Sequence, residues 1–158
     1  MKITLLKLAK YNQWANNLLI KHIETKTPEL LEKQIGSSFD TIKKTFLHIA
    51  DAEYIWYSRL TSTPADKIPG KMNYGVVAVA HEDQKMIDFI ESKDDSFFAE
   101  NTNYKTIKGD SFTNNNFAIL THLFNHSTFH RGQIVTMIRN GGYTGPLDST
   151  DFISYERL

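Results

Sequence analysis

The spacing of apolar residues constrains the fold of this chain more than any other feature, because it repeats every three to four residues in four long segments. A repeat near 3.6 residues gathers these side chains on one side of an α-helix and does not suit a half-buried strand. The first segment, residues 3–25, carries apolar residues at Leu5, Leu8, Trp14, Leu18 and Ile23. The pattern predicts an all-α protein.

Two sequence signals for the beginning of a helix follow the first helix. Thr27-Pro28 predicts a short helix that ends before Gly36, since Pro suits the first helical position. Ser37, with Asp40 three residues later, predicts the N-cap of a second long helix that runs to about Leu60. Its sequence "TFLHIADAEYIWYSRL" is apolar on most faces, so we expect it to be buried against several neighbours or against a second subunit.

The middle of the chain predicts one long connection. Residues 61–75, "TSTPADKIPGKMNYG", hold two prolines and two glycines and show no period, so we interpret them as a crossover loop. A third helix is predicted over residues 77–100. Its apolar side consists of Met86, Ile87, Phe89, Ile90 and Phe97.

The last part of the chain predicts a small hairpin and a fourth long helix. Residues 104–113 alternate around Gly109-Asp110, as in a hairpin. Asn residues at 114–116 can cap a helix over residues 115–140, which Gly141-Gly142 would end. Four long helices with one long connection predict a four-helix bundle with a crossover, in one domain that spans residues 1–158. The tail, residues 146–158, is apolar enough to pack back on the bundle.

Composition excludes several classes of function. The 18 Lys and Arg residues balance 18 Asp and Glu residues, so nucleic acid and anionic membranes are not expected partners. The chain has no cysteine, which excludes disulfides, a thiolate zinc site and a cysteine nucleophile. The N-terminus lacks the apolar core of a signal peptide, and no apolar run reaches the roughly 18 residues of a membrane span. We expect a soluble cytoplasmic protein.

Three histidines, His122, His126 and His130, lie four residues apart in the fourth helix. Imidazoles one turn apart can share an ion with bonds of about 2.0–2.1 Å, whereas Cα atoms eight residues apart are separated by about 12 Å. The candidate pairs are therefore His122 with His126, and His126 with His130. His126 and His130 continue the apolar stripe of the helix, whereas His122 lies beside it. The stripe consists of Ile119, Leu123, Ile134 and Met137.

A third ligand must come from another segment, and His48 is the best candidate because it lies between Leu47 and Ile49 in the most apolar helix. His22 and His81 lie in polar surroundings. The motif "HEDQK" at residues 81–85 is not a zinc-protease motif, because it ends in Lys where that motif requires His.

Residues next to the predicted ligands have several interpretations. Gly132 either allows close approach of a helix or ligand, or is a tolerated weak point of the helix. Gln133 can hydrogen-bond a ligand ring or a bound molecule, and Arg131 faces solvent, a subunit partner or an anionic substrate group.

Three carboxylates are candidates to orient a ligand ring from behind. They are Asp51, three residues after His48, and Asp148 and Asp151 in the tail.

The sequence resembles the DinB-like (DinB/YfiT-like) family of bacterial helical bundles with a three-histidine metal site. The resemblance is carried by "NHSTFHRGQI", "YNQWANNLL", "SSFDTIKKTFLHIADAEYIWYSRL" and the tail "PLDSTDFISYERL", and it covers nearly the whole chain except residues 62–80. It implies that His48, His126 and His130 are the metal ligands, that the helices run up-down-down-up, and that the protein is a homodimer.

The residues and the resemblance lead to three hypotheses. The first is an enzyme with a divalent ion, zinc or nickel, that hydrolyses a small molecule or transfers a low-molecular-weight thiol to it. The resemblance implies the thiol, which would be bacillithiol, mycothiol or glutathione. The second is a non-catalytic dimeric bundle with a structural or vestigial metal, and the third is a metal-free bundle. The sequence identifies no catalytic general base and no other nucleophile.

Overall fold

Four long helices and a two-stranded hairpin make up the fold in residues 1–72, 74–106 and 108–158, which the computed structural model describes. The long helices are α1 (Lys2–Lys26), α2 (Ile42–Thr61), α3 (Val77–Ser92) and α4 (Asn116–Asn140), and the short α5 (Phe152–Tyr155) lies in the tail. The antiparallel strands are β1 (Asn101–Lys105) and β2 (Ser111–Asn115). Single 3-10 turns occupy Pro28–Leu30 and Asp95–Ala99. The predicted all-α bundle is confirmed.

The ends of α1 and α4 agree with the sequence prediction to within one residue. Asn115 caps α4, because its side-chain oxygen accepts hydrogen bonds from the backbone N–H groups of Phe117 and Ala118 at 3.1 and 3.4 Å. The predicted hairpin is also confirmed and is longer than expected, with Tyr104 opposite Phe112 in its register. Gly109 in its turn has a φ of 94°, which favours glycine.

The predicted start of α2 was wrong. Thr41 caps this helix, with its hydroxyl accepting from the backbone N–H of Lys44 at 3.1 Å. The predicted cap, Ser37, lies inside a loop that the hydrogen bond from the N–H of Ile35 to the carbonyl of Asp40 closes. The short helix after Thr27 is only the single turn Pro28–Leu30.

The third helix ends earlier than predicted, at Ser92 rather than near residue 100. Lys93 is extended, and Asp95 then bonds to the start of α1 through the backbone N–H of Lys2 at 2.7 Å. Phe97 therefore belongs to a separate 3-10 turn.

The directions of the helices follow from which residues meet. Asn12 of α1 contacts Asp83, and Lys2 contacts the end of α3 at Glu91, so α1 and α3 are antiparallel. Helices α2 and α4 are antiparallel as well, since Thr45 meets Met137 while Trp56 meets His122.

Helices α2 and α3 run in the same direction, because their first halves share one apolar cluster and their second halves share another. The order is up-down-down-up, as the resemblance implied. Consecutive parallel helices require the crossover between α2 and α3 to return along the bundle.

The second helix is covered by its own chain. The backbone N–H of Gly70 in the crossover donates to Asp51 Oδ1 at 2.6 Å, and the backbone N–H of Lys67 donates to the Tyr54 hydroxyl. On the other side, Trp56 packs edge-on against Tyr104 of β1 with ring centroids 4.9 Å apart. Other segments of the same chain therefore cover the apolar residues that lie on most sides of α2.

The tail packs back on α1, as predicted. The Tyr11 hydroxyl donates to the carbonyl of Thr150 at 2.8 Å, and the rings of Tyr11 and Phe152 meet edge to face. In the part of the chain that the structure describes, no helix is both long and apolar enough to cross a membrane.

A buried polar layer separates the two apolar clusters of the core. Arg131 from α4 is 2% exposed, and its Nη1 donates to the side-chain oxygens of Asn12 and Asn16 on α1 at 2.5 and 3.1 Å. The Nδ2 group of Asn12 then donates to Glu53 of α2 at 2.8 Å and to Asp83 of α3 at 2.7 Å. All four long helices contribute to this layer.

The two acids of the layer differ in protonation. Burial and the neighbouring Asp83 raise the pKa of Glu53 well above its usual value. Burial raises the pKa of Asp83 to about 6, while hydrogen bonds from Asn16 and Glu53 and the charge of Arg131 act against this shift. We therefore assign the ionised form to Asp83, which the charge of Arg131 favours, and the proton to Glu53, whose protonated form the neighbouring Asp83 favours.

Glu53→Gln and Asp83→Asn should therefore differ in stability. Glutamine replaces a neutral carboxylic acid with a neutral amide of the same shape, so we expect the free energy of unfolding to change by about 1 kcal/mol or less. Asp83→Asn leaves Arg131 buried without a counter-charge and should cost roughly 3–5 kcal/mol. Urea denaturation at pH 7.5 measures both, and a larger loss for Glu53→Gln would contradict the assigned protonation.

Candidate metal centre

Three histidines from two antiparallel helices meet at one face of the bundle. His126 and His130 lie one turn apart on α4, and His48 lies on α2 directly opposite. His130 is buried, and the other two are half-buried. The structure thus brings together the three residues that the sequence predicted, although His48 and His126 are 78 positions apart in the chain.

The rings present the same atom to one point. His126 Nε2 is 3.0 Å from His48 Nε2 and 3.0 Å from His130 Nε2. All three ligand atoms lie within 4.8 Å of one another. Two nitrogens bound at about 2.0–2.1 Å to a tetrahedral ion are roughly 3.3 Å apart, so the spacing suits a cation that three imidazoles share.

The tautomer of His130 is set by its neighbour. His130 Nδ1 lies 2.8 Å from Gln133 Oε1, an acceptor, so Nδ1 carries the proton and Nε2 presents a lone pair. The amide nitrogen of Gln133 donates in turn to the Ser38 hydroxyl at 2.7 Å. Gln133 thus accepts a hydrogen bond from a ring of the histidine cluster, in line with one of the two partners predicted for it, and such partners commonly orient metal-binding histidines.

Hydrogen bonds alone cannot satisfy the three Nε2 atoms. If His126 Nε2 carries a proton, it can donate to His48 or to His130 but not to both. If His126 Nε2 is unprotonated, its lone pair faces the lone pair of His130 at 3.0 Å. His126 Nδ1 is buried and has no hydrogen-bond partner among the residues that the structure describes. The donor set therefore fits a cation between the rings.

The imidazoles are held neutral at physiological pH. Burial, and to a smaller extent the charge of His130, lowers the pKa of His48 to about 4. The pKa of His126 is also about 4, lowered mainly by burial and then by the neighbouring histidines. Burial lowers the pKa of His130 as well, against the hydrogen bond to Gln133. Neutral imidazole is the form that binds a metal.

Phenylalanine rings flank the cluster. Phe39, in the loop before α2, has its ring centroid 4.5 Å from that of His48 and 5.8 Å from that of His130. Phe129 packs edge-on against His130 at 5.1 Å and is 62% exposed. These rings limit water access on one side and explain part of the lowered histidine pKa values.

A cavity of about 320 Å³ lies one helical turn from the cluster. His122 forms part of its wall, 6.0 Å from the ring of His126 and 5.9 Å from that of Trp56. As the sequence predicted, His122 flanks the cluster and does not join it. The lining residues are Trp56, Tyr104, Asn114, Ala118, Ile119 and His122.

Two interpretations of the neighbouring residues need correction. Arg131 faces neither solvent nor a ligand, because it lies in the buried layer. Gly132 is exposed, and a Cβ added there would meet nothing within 4 Å, so it permits no close approach within this chain. It is a weak point of the helix that the fold tolerates.

The carboxylates proposed behind the ligands also lie elsewhere. Asp51 accepts from the backbone N–H of Gly70 and thereby anchors the crossover. Asp151 accepts from the Ser149 hydroxyl, and Asp148 is exposed with no contact to the histidines in the described parts of the chain. Gln133 takes the orienting role instead.

The other two histidines are apart from the cluster. His22 is buried against the Tyr143 ring at 5.1 Å, and His81 contacts Glu82 at 3.0 Å.

Sequence reasoning missed the buried layer behind the site. Its signal is present, since Asn12 and Asn16 continue the apolar row Leu5, Ala9, Leu19 at helical spacing. Arg131 similarly lies between buried Ser127 and Ile134. Polar residues in register with an apolar row thus mark a buried network, which the sequence analysis did not identify.

Comparisons with known proteins agree with this description. The model of the DinB family matches residues 1–158. The protein DinB of Bacillus subtilis strain 168 is 26% identical over 161 positions, which cover 90% of this chain and 89% of that protein.

Two solved structures share the fold. YfiT from Bacillus subtilis, described as a probable metal-dependent hydrolase with an unusual four-helix bundle topology, has a TM-score of 0.60 at 17% identity, and the match covers 91% of each chain. A DinB-like protein from Bacillus cereus has a TM-score of 0.55 at 21% identity, over 85% of this chain and 91% of its own.

The lowered histidine pKa values predict how stability depends on pH in chelator-treated protein. In the unfolded chain these histidines titrate near 6.5, but His48 and His126 do so near 4 when folded. Between pH 6.5 and 4 the unfolded state binds more protons, so this contribution to stability falls as pH falls. Asp83 acts in the opposite direction, because its folded pKa is raised to about 6.

The histidine effect is therefore measured against His48→Gln/His126→Gln, which retains Asp83. We expect wild type to lose stability relative to this variant as the pH falls from 6.5 to 4, in urea denaturation with EDTA. A constant difference across this range would show that the histidines are not held neutral.

Proposed function

Because the chain belongs to the DinB family, we propose that it is a metal-dependent hydrolase that acts on a small molecule. The observation that carries the proposal is the convergence of three Nε2 atoms whose lone pairs hydrogen bonds cannot satisfy. YfiT, which shares the fold, is described as a probable metal-dependent hydrolase.

His48, His126 and His130 would hold the ion, and we propose zinc or nickel because neutral imidazole suits both. A divalent ion held by three protein ligands keeps a position open and supplies a water nucleophile at neutral pH together with Lewis acidity. Three neutral imidazoles leave the positive charge of the ion uncompensated, which favours this chemistry.

The chain's own residues prepare the centre. Gln133, fixed by Ser38, holds the His130 ring with Nε2 inward. Phe39 and Phe129 shield the imidazoles from water. The cavity beside His122 provides room for the substrate.

The resemblance extends the proposal to thiol transfer at the same centre. Because the chain has no cysteine, the thiol would be a co-substrate such as bacillithiol, mycothiol or glutathione. Such thiols belong to a reducing cytoplasm, and we propose that the protein is located there. A homodimer also remains a proposal, and it rests on the resemblance alone, since the chain itself covers α2.

Metal content tests the ligand assignment. Untagged wild-type protein should contain about one divalent ion per chain by elemental analysis, because three ligands suffice for a tight site. His126→Ala removes the ligand that both other rings face, so we expect metal content to fall at least tenfold. The matched control is His122→Ala, one turn away on the same helix, which should retain the ion. Equal loss in both variants would contradict the assignment.

Turnover distinguishes the hypotheses. We expect the metal-loaded protein to hydrolyse members of a panel of activated esters, amides and lactams, with release that stops on chelation and in His48→Ala. Release that requires an added thiol would identify a transferase instead. If neither activity depends on the ion, the metal has a structural role, and its removal should then lower the melting temperature without affecting any turnover.

A further inference from the structure

Arg59, at the end of α2, packs against two aromatic rings that also contact each other. Its guanidinium carbon lies 4.4 Å from the ring centre of Trp56 and 4.9 Å from that of Tyr104. Guanidinium groups stack well on aromatic faces, and stacking leaves their N–H groups free to bind in the plane. The Tyr104 ring is fixed in turn, because its hydroxyl donates to Asn114 at 2.8 Å. The side chain is therefore positioned rather than mobile.

Most of the donors of this guanidinium lack a partner among the residues that the structure describes. Arg59 Nη2 donates to the carbonyl of Lys105 at 3.2 Å, which uses one of five N–H groups. In residues 1–72, 74–106 and 108–158, no carboxylate forms an ion pair with it. Partial burial lowers the pKa of Arg59, so its charge has lost water without gaining an acid. An anion would supply the missing partner.

Arg59 stands between two cavities. The Trp56 and Tyr104 rings that hold it form part of the wall of the cavity beside His122. On its other side, Arg59 lines a second cavity of about 430 Å³. Trp56 lies two turns beyond His48 on α2, so the route from the metal centre to Arg59 is roughly 12–16 Å long.

The second cavity is basic. Its walls include Lys71 and Lys105 besides Arg59, and hydroxyls from Ser62, Thr63 and Thr106, with no acidic side chain among its described lining. Two carbonyls at the end of α2 already accept hydrogen bonds, that of Ser58 from the N–H of Thr63 and that of Arg59 from the N–H of Ser62. This combination of cations and hydroxyls suits a carboxylate or a phosphate.

We propose that Arg59 binds the anionic group of a small molecule in the second cavity, where the side chains of Ile55, Ile68 and Tyr104 contact the apolar part of that molecule. The ligand class is an amphipathic organic acid with a flat or branched apolar part. That this ligand is the substrate of the metal centre rests on the proposed function, whereas the anion binding does not. Arg59 is a specificity residue, since it lies too far from the histidines to touch the reacting atoms.

Ligand binding tests the inference without any turnover. The probe is 2-naphthoate, and its neutral counterpart is 2-naphthamide, which has nearly the same shape. Binding is followed by tryptophan fluorescence in a Trp14→Phe background, so that Trp56 reports, and in the presence of EDTA. We expect naphthoate to bind at least tenfold more tightly than naphthamide, because a charged hydrogen bond typically contributes that much.

Arg59→Gln should remove this preference and leave naphthamide affinity unchanged, while Arg59→Lys should keep part of it. The matched control is Arg139→Gln, which removes an arginine that lies over Tyr143 far from the cavity. Circular dichroism and the melting temperature check that each variant is folded. Equal affinity for both probes in wild type, or an unchanged preference in folded Arg59→Gln, would overturn the proposal.

A second arm separates this inference from the proposed function. If an ester substrate is hydrolysed, Arg59→Gln should raise KM for an ester that bears a carboxylate, with kcat and the kinetics of a neutral ester unchanged. Naphthoate preference without any metal-dependent turnover would refute the hydrolase proposal and leave the anion site intact. Turnover with no effect of Arg59→Gln on KM would support the hydrolase proposal and refute the assignment of the anionic ligand as its substrate.

Discussion

The buried guanidinium of Arg131 constrains this bundle more strongly than any single apolar contact. A charge that is 2% exposed must be matched within the protein, and here one ionised carboxylate on α3 and two amides on α1 do so. Because its partners reach all the other long helices, Arg131 fixes their rotation and register together. Apolar packing alone tolerates small slips between helices, whereas a buried charge with directed hydrogen bonds does not.

The same constraint extends to the metal centre through the chain. His130 and Arg131 are adjacent on α4 and therefore point about 100° apart, one toward α2 and the other toward α1 and α3. Once the guanidinium occupies the buried layer, the direction of the His130 ring is largely set. The hydrogen bond to Gln133 then fixes the orientation of the ring. Binding chemistry and core packing thus share one helix but use different faces of it.

Patterns along one helix were predicted well from sequence, whereas most contacts of polar residues between distant segments were not. Four-residue spacing left two candidate pairs, and the apolar stripe of α4 favoured His126 with His130. The apolar setting of His48 made it the best candidate for the third member, in agreement with the family resemblance. Ser37 was predicted to cap α2, whereas Thr41 does so, because a local motif cannot reveal the loop that encloses Ser37. The role of Arg131 was missed for a similar reason, since its hydrogen-bond partners Asn12 and Asn16 lie on α1 and connect it to α2 and α3, and no local pattern links these segments.

The up-down-down-up order has a consequence for folding. Helices that touch here are seldom neighbours in sequence, and the candidate metal centre joins residues 78 positions apart, across the crossover and the hairpin. Such a topology has a high contact order, so the three imidazoles converge only when nearly the whole chain is in place. An ion bound there would stabilise the complete native state and no fragment of it. Its release would therefore destabilise the bundle as one cooperative unit.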